Sequence, residues 1–469
     1  MLGVVSGIVI AKVNNPLYIL VGFAGLFAFL ATVFSLEFGL LVLVFITYTR
    51  LSDIAIQYHN APSIAKSFIA LVFLSILFRW AIFKERPRGW ERPALLLGAY
   101  GLVELASVLY AQNSAYAIDT LIIYLKDAII AVAVVIMLRQ RSTFRRVVWV
   151  LLLVGIFLGT LSVFQYVTKT YSNYYWGFAL TDLGNIYGST NDYRIAGPIG
   201  DPNFYAQVMV VLAPLAYERF VNEQKVILRV LAAWALITSV LAVVLSFSRG
   251  GFLALVVAMV AIVIAFPPKV KYIPILIALA VGLLAFLPSS YYERMITLGQ
   301  ALTAPSVGFR TQDAAIQGRA SENLAAWEMF KDHPLLGVGL HNYRYLYVDY
   351  AKQLGLATTV TERSAHNLYL EVAAETGVVG LTVFLLLIWV AMKGILLARK
   401  ELLKRGFEEY ANLAMAMFVG ILGYLVAAIF IHAAFPRYFY LLIGIGLSLP
   451  GIAKNTLFGE ANENRNLSL

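Results

Sequence analysis

An α-helical polytopic membrane bundle is the fold class that this 469-residue chain predicts, and three observations predict it. Hydrophobic residues make up 61% of the chain and charged residues 13%; an ordinary soluble domain has roughly 45–50% and about 25%. Apolar runs recur at the length of a spanning helix, about 20 residues. Basic residues, which give a net charge of +10, lie mostly between those runs rather than on one soluble face. That placement suits a membrane protein before a nucleic-acid binder. The same composition excludes a disordered chain. Zero cysteines exclude a disulfide scaffold, thiol catalysis, and zinc–thiolate or iron–sulfur sites.

Candidate spans fall near 17–33, 35–50, 65–83, 94–111, 119–138, 147–167, 203–217, 226–247, 251–266, 272–288, 378–397, 411–431 and 436–450. None alternates polar and apolar residues as a barrel strand would, so the fold is expected to be all-α, with about 12–13 transmembrane helices. Met1 to Ile10 has neither a basic n-region nor a small-residue cleavage site, so no signal peptide is expected. Basic loops orient the bundle. Lys84, Arg86, Arg88 and Arg92 follow the third run, Arg139, Arg141, Arg145 and Arg146 the fifth, and further clusters lie near 219–229, 269–271 and 393–405. These alternate loops are assigned to the cytoplasm with the C-terminal tail. Thirteen crossings then put the N-terminus outside. Residues 17–50 are short for two crossings, so twelve with both ends inside fits equally. No internal repeat or matched pair of broken runs is visible, which lowers the expectation of an inverted-repeat transporter.

The opposite side receives two long loops, 168–202 and 289–377, attached to a single transmembrane domain spanning 1–469. The second is too long for a structureless connection. The spacing predicts a helix over Ala314 to Phe330, stopped at His333-Pro334. A glycine-punctuated turn follows at Leu335 to Leu340, and a second helix is expected from His366 to Thr376, with Gly377 and Gly380 at its joint with the next span. Tyrosines 343, 345, 347 and 350, like the aromatic cluster at 171–176, fit either an interfacial belt or a platform for stacking sugars.

Four features can carry chemistry. Ser248-Arg249-Gly250-Gly251 joins two spans on the outer side. A charge there costs on the order of 3 kcal/mol on insertion scales, and a guanidinium fork suits phosphate oxygens; a snorkelling arginine is the plainer explanation. Gly318-Arg319, followed by Trp327, taken alone reads as a solvated charge. His366-Asn367 opens a helix, whose N-terminus disfavours imidazolium, so His366 suits a general base. Asn367 and Glu371 are expected to orient it. Arg194 lies upstream of Asp201-Pro202-Asn203, a turn and helix-start signal, and Arg194 and Asn203 are substrate contacts or structural supports. His341, which also precedes an asparagine, is the rival to His366. P-loop, dinucleotide and His-Glu-x-x-His signatures are absent. So are clustered outer-loop carboxylates spaced for a divalent metal, and no cofactor or metal is expected.

Together these pieces resemble the O-antigen ligase and O-antigen polymerase family of bacterial inner-membrane glycosyltransferases. The most specific element is His366-Asn367, then nine residues, then Gly377-x-x-Gly380. Ser248 to Gly251 and the run from Gly318 to Gly339 also look like family motifs. The resemblance implies a periplasmic active site, a polyprenyl-pyrophosphate-linked glycan donor and no metal. It maps the two family arginines to Arg249 and Arg319 as pyrophosphate ligands and the family histidine to His366 as catalytic residue. The acceptor it implies is the sugar core of lipid A for a ligase, or a lipid-linked repeat unit for a polymerase. A protein acceptor is a third case. A lipid-linked-glycan flippase or other transporter is the reading from another class. It would need ionic groups near midplane, and Lys126-Asp127 is the pair that offers them.

Overall fold

The computed structural model describes residues 16–187, 190–268, 270, 273–274, 277–278, 281–282, 314–356, 362–432 and 436–466. Its helices are α1 (Pro16–Phe34), α2 (Leu36–Thr49), α3 (Leu51–His59), α4 (Ile64–Phe83), α5 (Glu91–Val108), α6 (Ser114–Met137), α7 (Arg141–Thr168), α8 (Pro202–Asn222), α9 (Val226–Leu245), α10 (Arg249–Ala265), α11 (Ala314–Asp332), α12 (Asn342–Gln353), α13 (Leu368–Lys404), α14 (Glu408–Ala427) and α15 (Pro436–Asn466). The protein is an all-α polytopic membrane protein. Every expected apolar segment coincides with one of these helices except 272–288, which lies largely outside the described residues, as do 289–313 of the large loop. By length and composition, seven of the described helices can cross a membrane, or eight if α2 and α3, bent by 54°, form one span. Some of the others are simply short: α10 has 17 residues, about 25 Å of helix.

One element departs from the expectation. The first outer loop holds an antiparallel hairpin, β1 (Leu180–Tyr187) and β2 (Thr190–Gly197), pairing Asp182 with Arg194. Its strands are polar, and one lone hairpin leaves only a weak alternating pattern to read.

Helix α8 is the spine of the bundle. It is buried along nearly its whole length and packs against α7, α9, α10 and α14, so its apolar residues run round every face. Basic and acidic groups meet at one end of the bundle. Arg219, 1% exposed, is bidentate to Glu218 at 2.6 and 2.8 Å and reaches Glu409 at 2.7 Å. Arg145 joins Glu223 at 3.2 Å and Glu409 at 3.1 Å. Buried charges are tolerable only when paired in this way. Asp127 is also paired, but with Arg437 at 3.3 Å on α15 rather than with its neighbour Lys126, which is exposed. The midplane ionic pair that a transporter would use is therefore not formed between Lys126 and Asp127.

Candidate active site

The other end of the bundle gathers the predicted residues. Several helices begin there, each with a side-chain cap on its first orphan N–H groups. Asp201 caps α8 through Asn203 N and Phe204 N at 2.7 and 3.2 Å. Ser248 caps α10 through Gly251 N at 3.2 Å, and Asn367 caps α13 through Leu370 N at 3.1 Å. Asn367 is therefore a helix cap. Helix N-termini are the positive ends of their dipoles and favour an anion.

Arg194 ties two of these starts together. Its Nε donates to Ser246 O at 3.0 Å and its Nη2 to Asn203 Oδ1 at 3.1 Å. The guanidinium thus holds the turn that presents Arg249 and the first turn of α8. It is buried, which pulls its pKa down to about 10; Asp182 and Asp201 oppose that fall, and the positive charges of Arg319 and Arg249 add to it. The charges of Arg249 and Arg319 both reach Arg194, so a cationic locus surrounds it. Arg249 is itself 5% exposed. Gly250 and Gly251 let α10 approach its neighbours, since a Cβ at Gly250 would press on Phe430 at 2.6 Å and one at Gly251 on Ala206 at 2.5 Å. The glycines of this motif serve packing, and its arginine is the residue left for chemistry.

His366 stands just before the Asn367 cap with a left-handed backbone, φ 49°. Its Nδ1 lies 2.8 Å from Glu322 Oε2 and 3.0 Å from Ser364 O. Glu322, on α11, has a side chain 2% exposed, and its other oxygen accepts from Arg363 Nη1 at 3.0 Å. Both acceptors at Nδ1 call for the hydrogen on that nitrogen, which leaves Nε2 with its lone pair. A carboxylate fixing the tautomer and facing the charge the ring gains is the arrangement that makes histidine a base. Glu322 was not singled out in the sequence, because it lies 44 residues from His366 and only the fold joins them. One signal was available: Gly318, whose added Cβ would meet Arg363 Nη1 at 3.1 Å, sits one turn before Glu322 on the same helix face.

The glycines of the large loop explain one another. Helix α13 breaks at Gly377, φ 64° and ψ −166°, a backbone essentially limited to glycine. The break exposes two carbonyls and an N–H that the loop before α12 satisfies. Val338 N donates to Ala374 O at 2.9 Å, Gly339 N to Glu375 O at 2.9 Å, and Val378 N to Pro334 O at 2.8 Å. A Cβ on Gly337 or Gly377 would overlap the opposing backbone. This seam fixes the short helix 368–376 that carries Asn367's cap and so fixes His366.

The rival histidine is placed differently. His341 precedes α12, with φ 56°, packs edge-on to Tyr116, and has its pKa lowered by burial first and by Arg344 second. It lines a cavity of about 100 Å³ with Glu104, Gln207, Glu371, Glu375 and His432. Glu371 is thus part of that cavity wall. His432 bridges the two places. Its ring centroid is 5.2 Å from His366, and burial, then the charge of His366, holds its pKa down to about 3. His432, Glu104 and Glu375 were also missed in the sequence, being scattered on three elements. Among the described residues no group of three His, Asp or Glu side chains is placed to hold a metal.

Residues 234–385 match the family model described as O-antigen ligase. The match contains Arg249, Arg319, Glu322, His341, Arg363, His366 and the Gly337–Gly377 seam, and it stops short of Arg194, Asn203 and His432. No curated protein matches the chain.

Proposed function

From the match of residues 234–385 to the O-antigen ligase family model, we propose that this multi-pass protein is a metal-independent inverting glycosyltransferase. It moves a glycan from a polyprenyl-pyrophosphate carrier to an acceptor hydroxyl at the periplasmic face of the bacterial inner membrane. The acceptor is the sugar core of lipid A. The observation that carries this reading is the pairing of His366 Nδ1 with buried Glu322 at 2.8 Å, beside a locus where Arg194 senses Arg249 and Arg319.

The chemistry needs two services. The acceptor hydroxyl gives its proton to His366 Nε2 while its oxygen attacks the anomeric carbon, and Glu322 faces the imidazolium that forms. Such a positioned base is worth about 10²–10⁴-fold in rate. The bond from the anomeric carbon to the pyrophosphate oxygen breaks on the opposite side, which inverts the centre. Arg249 and Arg319 take the charge that grows on the leaving polyprenyl pyrophosphate, as preorganised cations do well where water is excluded. Arg194 and the helix start at Ser248 hold Arg249 in place. The lipid tail lies between spans with its pyrophosphate at the membrane boundary.

Purified protein in detergent, given a synthetic polyprenyl-pyrophosphate glycan and lipid A-core, tests the reading. Transfer with no transmembrane gradient, unchanged by a chelator, is expected. Activity lost in chelator and restored by magnesium would sink the metal-independent mechanism. Glycan movement across vesicles without any new glycosidic bond would make the protein a transporter instead.

A further inference from the structure

At the end of the bundle away from His366, a groove of about 1030 Å³ runs between the start of α5, the second half of α13 and α15. It is larger than most small-molecule pockets, which hold about 300–1,000 Å³. Its walls differ in kind. Leu96, Leu397 and Leu447 make an apolar side, while Arg92, Lys393, Lys400, Lys404, Arg405 and Lys454 supply six cations against the carboxylates Glu91 and Glu401. Arg405 is already committed to Glu401, at 2.7 Å. Among the described residues, Arg92, Lys393, Lys400, Lys404 and Lys454 have no ion-pair partner.

Membrane topology accounts for cations in loops. Lys393 is the deepest cation of its cluster: it sits seven residues before Lys400 on the same helix, about 10 Å further into the membrane. Its ammonium rests over the Trp389 ring at 4.4 Å from the centroid, a cation–π contact at an exposed ring. A cation at that depth, an apolar wall beside it and a cationic rim below it match one amphiphile: a negatively charged headgroup with its acyl chains. Cytoplasmic leaflets supply such lipids, and basic pockets between helices on that side are their known form of receptor.

We propose that this groove is a binding site for an anionic glycerophospholipid. Its phosphodiester lies among Lys400, Lys404, Lys454 and Arg92, with Lys393 reaching it from above. Its first acyl carbons lie along Leu96, Leu397 and Leu447. The site is separate from the glycan-transfer reading and stands or falls without it.

The test uses the full-length protein in detergent and native mass spectrometry. Phosphatidylglycerol, phosphatidylcholine and soluble glycerol phosphate are titrated in turn. Phosphatidylglycerol is expected to be retained and the other two not. The triple variant Lys393→Gln/Lys400→Gln/Lys404→Gln should weaken retention on the order of 10²-fold, since each cation near an anionic lipid adds about a factor of five. Lys84→Gln/Arg86→Gln, which removes charge from another groove at α4, should leave retention unchanged. Three results would overturn the proposal: equal retention of both lipids, equal loss in the two variants, or glycerol phosphate binding as well as the lipid. An unchanged thermal transition of the triple variant in phosphatidylcholine guards against simple misfolding.

Discussion

Replacing Glu322 by glutamine tests how the site is held. The side chain is 2% exposed, and its two oxygens serve His366 at 2.8 Å and Arg363 at 3.0 Å. Glutamine keeps the shape and loses the charge. Arg363 only donates, so the amide oxygen turns to it and the NH₂ group faces His366 Nδ1. The NH₂ group opposes a hydrogen on Nδ1, leaves Ser364 O as the one acceptor there, and so favours the tautomer with its hydrogen on Nε2, which cannot take a proton from the acceptor hydroxyl. The expected loss in kcat is the worth of a general base, about 10²–10⁴-fold, or roughly 3–5 kcal/mol of barrier. Donor affinity should change little, because both oxygens of Glu322 are engaged by His366 and Arg363 rather than by Arg249 or Arg194. Single-turnover transfer in detergent measures the first quantity, and retention of the lipid-linked donor the second. Arg363→Gln, by contrast, leaves the His366 contact intact and should cost under about ten-fold. Wild-type kcat in Glu322→Gln would refute the idea that Glu322 sets the tautomer of His366.

Three further outcomes are expected. Arg249→Lys keeps charge but loses the bidentate fork, so transfer should fall strongly, and further in Arg249→Ala; wild-type transfer in both would remove Arg249 from pyrophosphate binding. Gly377→Ala forces a side chain onto a backbone reserved for glycine at about 1–3 kcal/mol and into the carbonyl of Leu335, so the apparent Tm should drop by several degrees; an unchanged Tm would show that the seam does not hold the loop. His432 has a pKa lowered from its ordinary 6.5 to about 3 in the folded protein, so the unfolded chain binds the extra proton between those values. Its contribution to stability is complete above pH 6.5 and is lost as pH falls towards 3; thermal transitions of wild type and His432→Gln across that window should converge as the pH drops.

The apolar helices were legible because span length and hydrophobicity are local properties of the chain. The break at Gly377 was legible too, since Gly377 and Gly380 stand at the joint between the helix that follows His366 and the next apolar span. What the sequence hid depends on distance along the chain. Glu322 meets His366 only because α11 folds back over the start of α13. The carbonyls freed at Gly377 find their donors at Val338 and Gly339, so two motifs that read as separate turns are one seam. Arg194 and Asn203 were singled out as substrate contacts or structural supports, but not as partners: the bond between them, and Arg194's bond to Ser246, need the fold. The hairpin around it escaped notice because its polar strands carry almost no apolar alternation. Asp127 found Arg437 instead of Lys126 because successive helical residues face different ways.

The assignment of the base is the centre of the account, and two purified variants test it. His366→Ala and His341→Ala are compared for glycan transfer to the acceptor and for retention of the polyprenyl-pyrophosphate donor. His366 is at the bundle end and partly exposed, with Nδ1 already held by Glu322, so its removal should leave folding and donor retention near wild type and abolish or strongly reduce transfer. His341→Ala should keep measurable transfer. A dead His341→Ala beside an active His366→Ala would contradict the account and move the base to the cavity lined by Glu371 and Glu375.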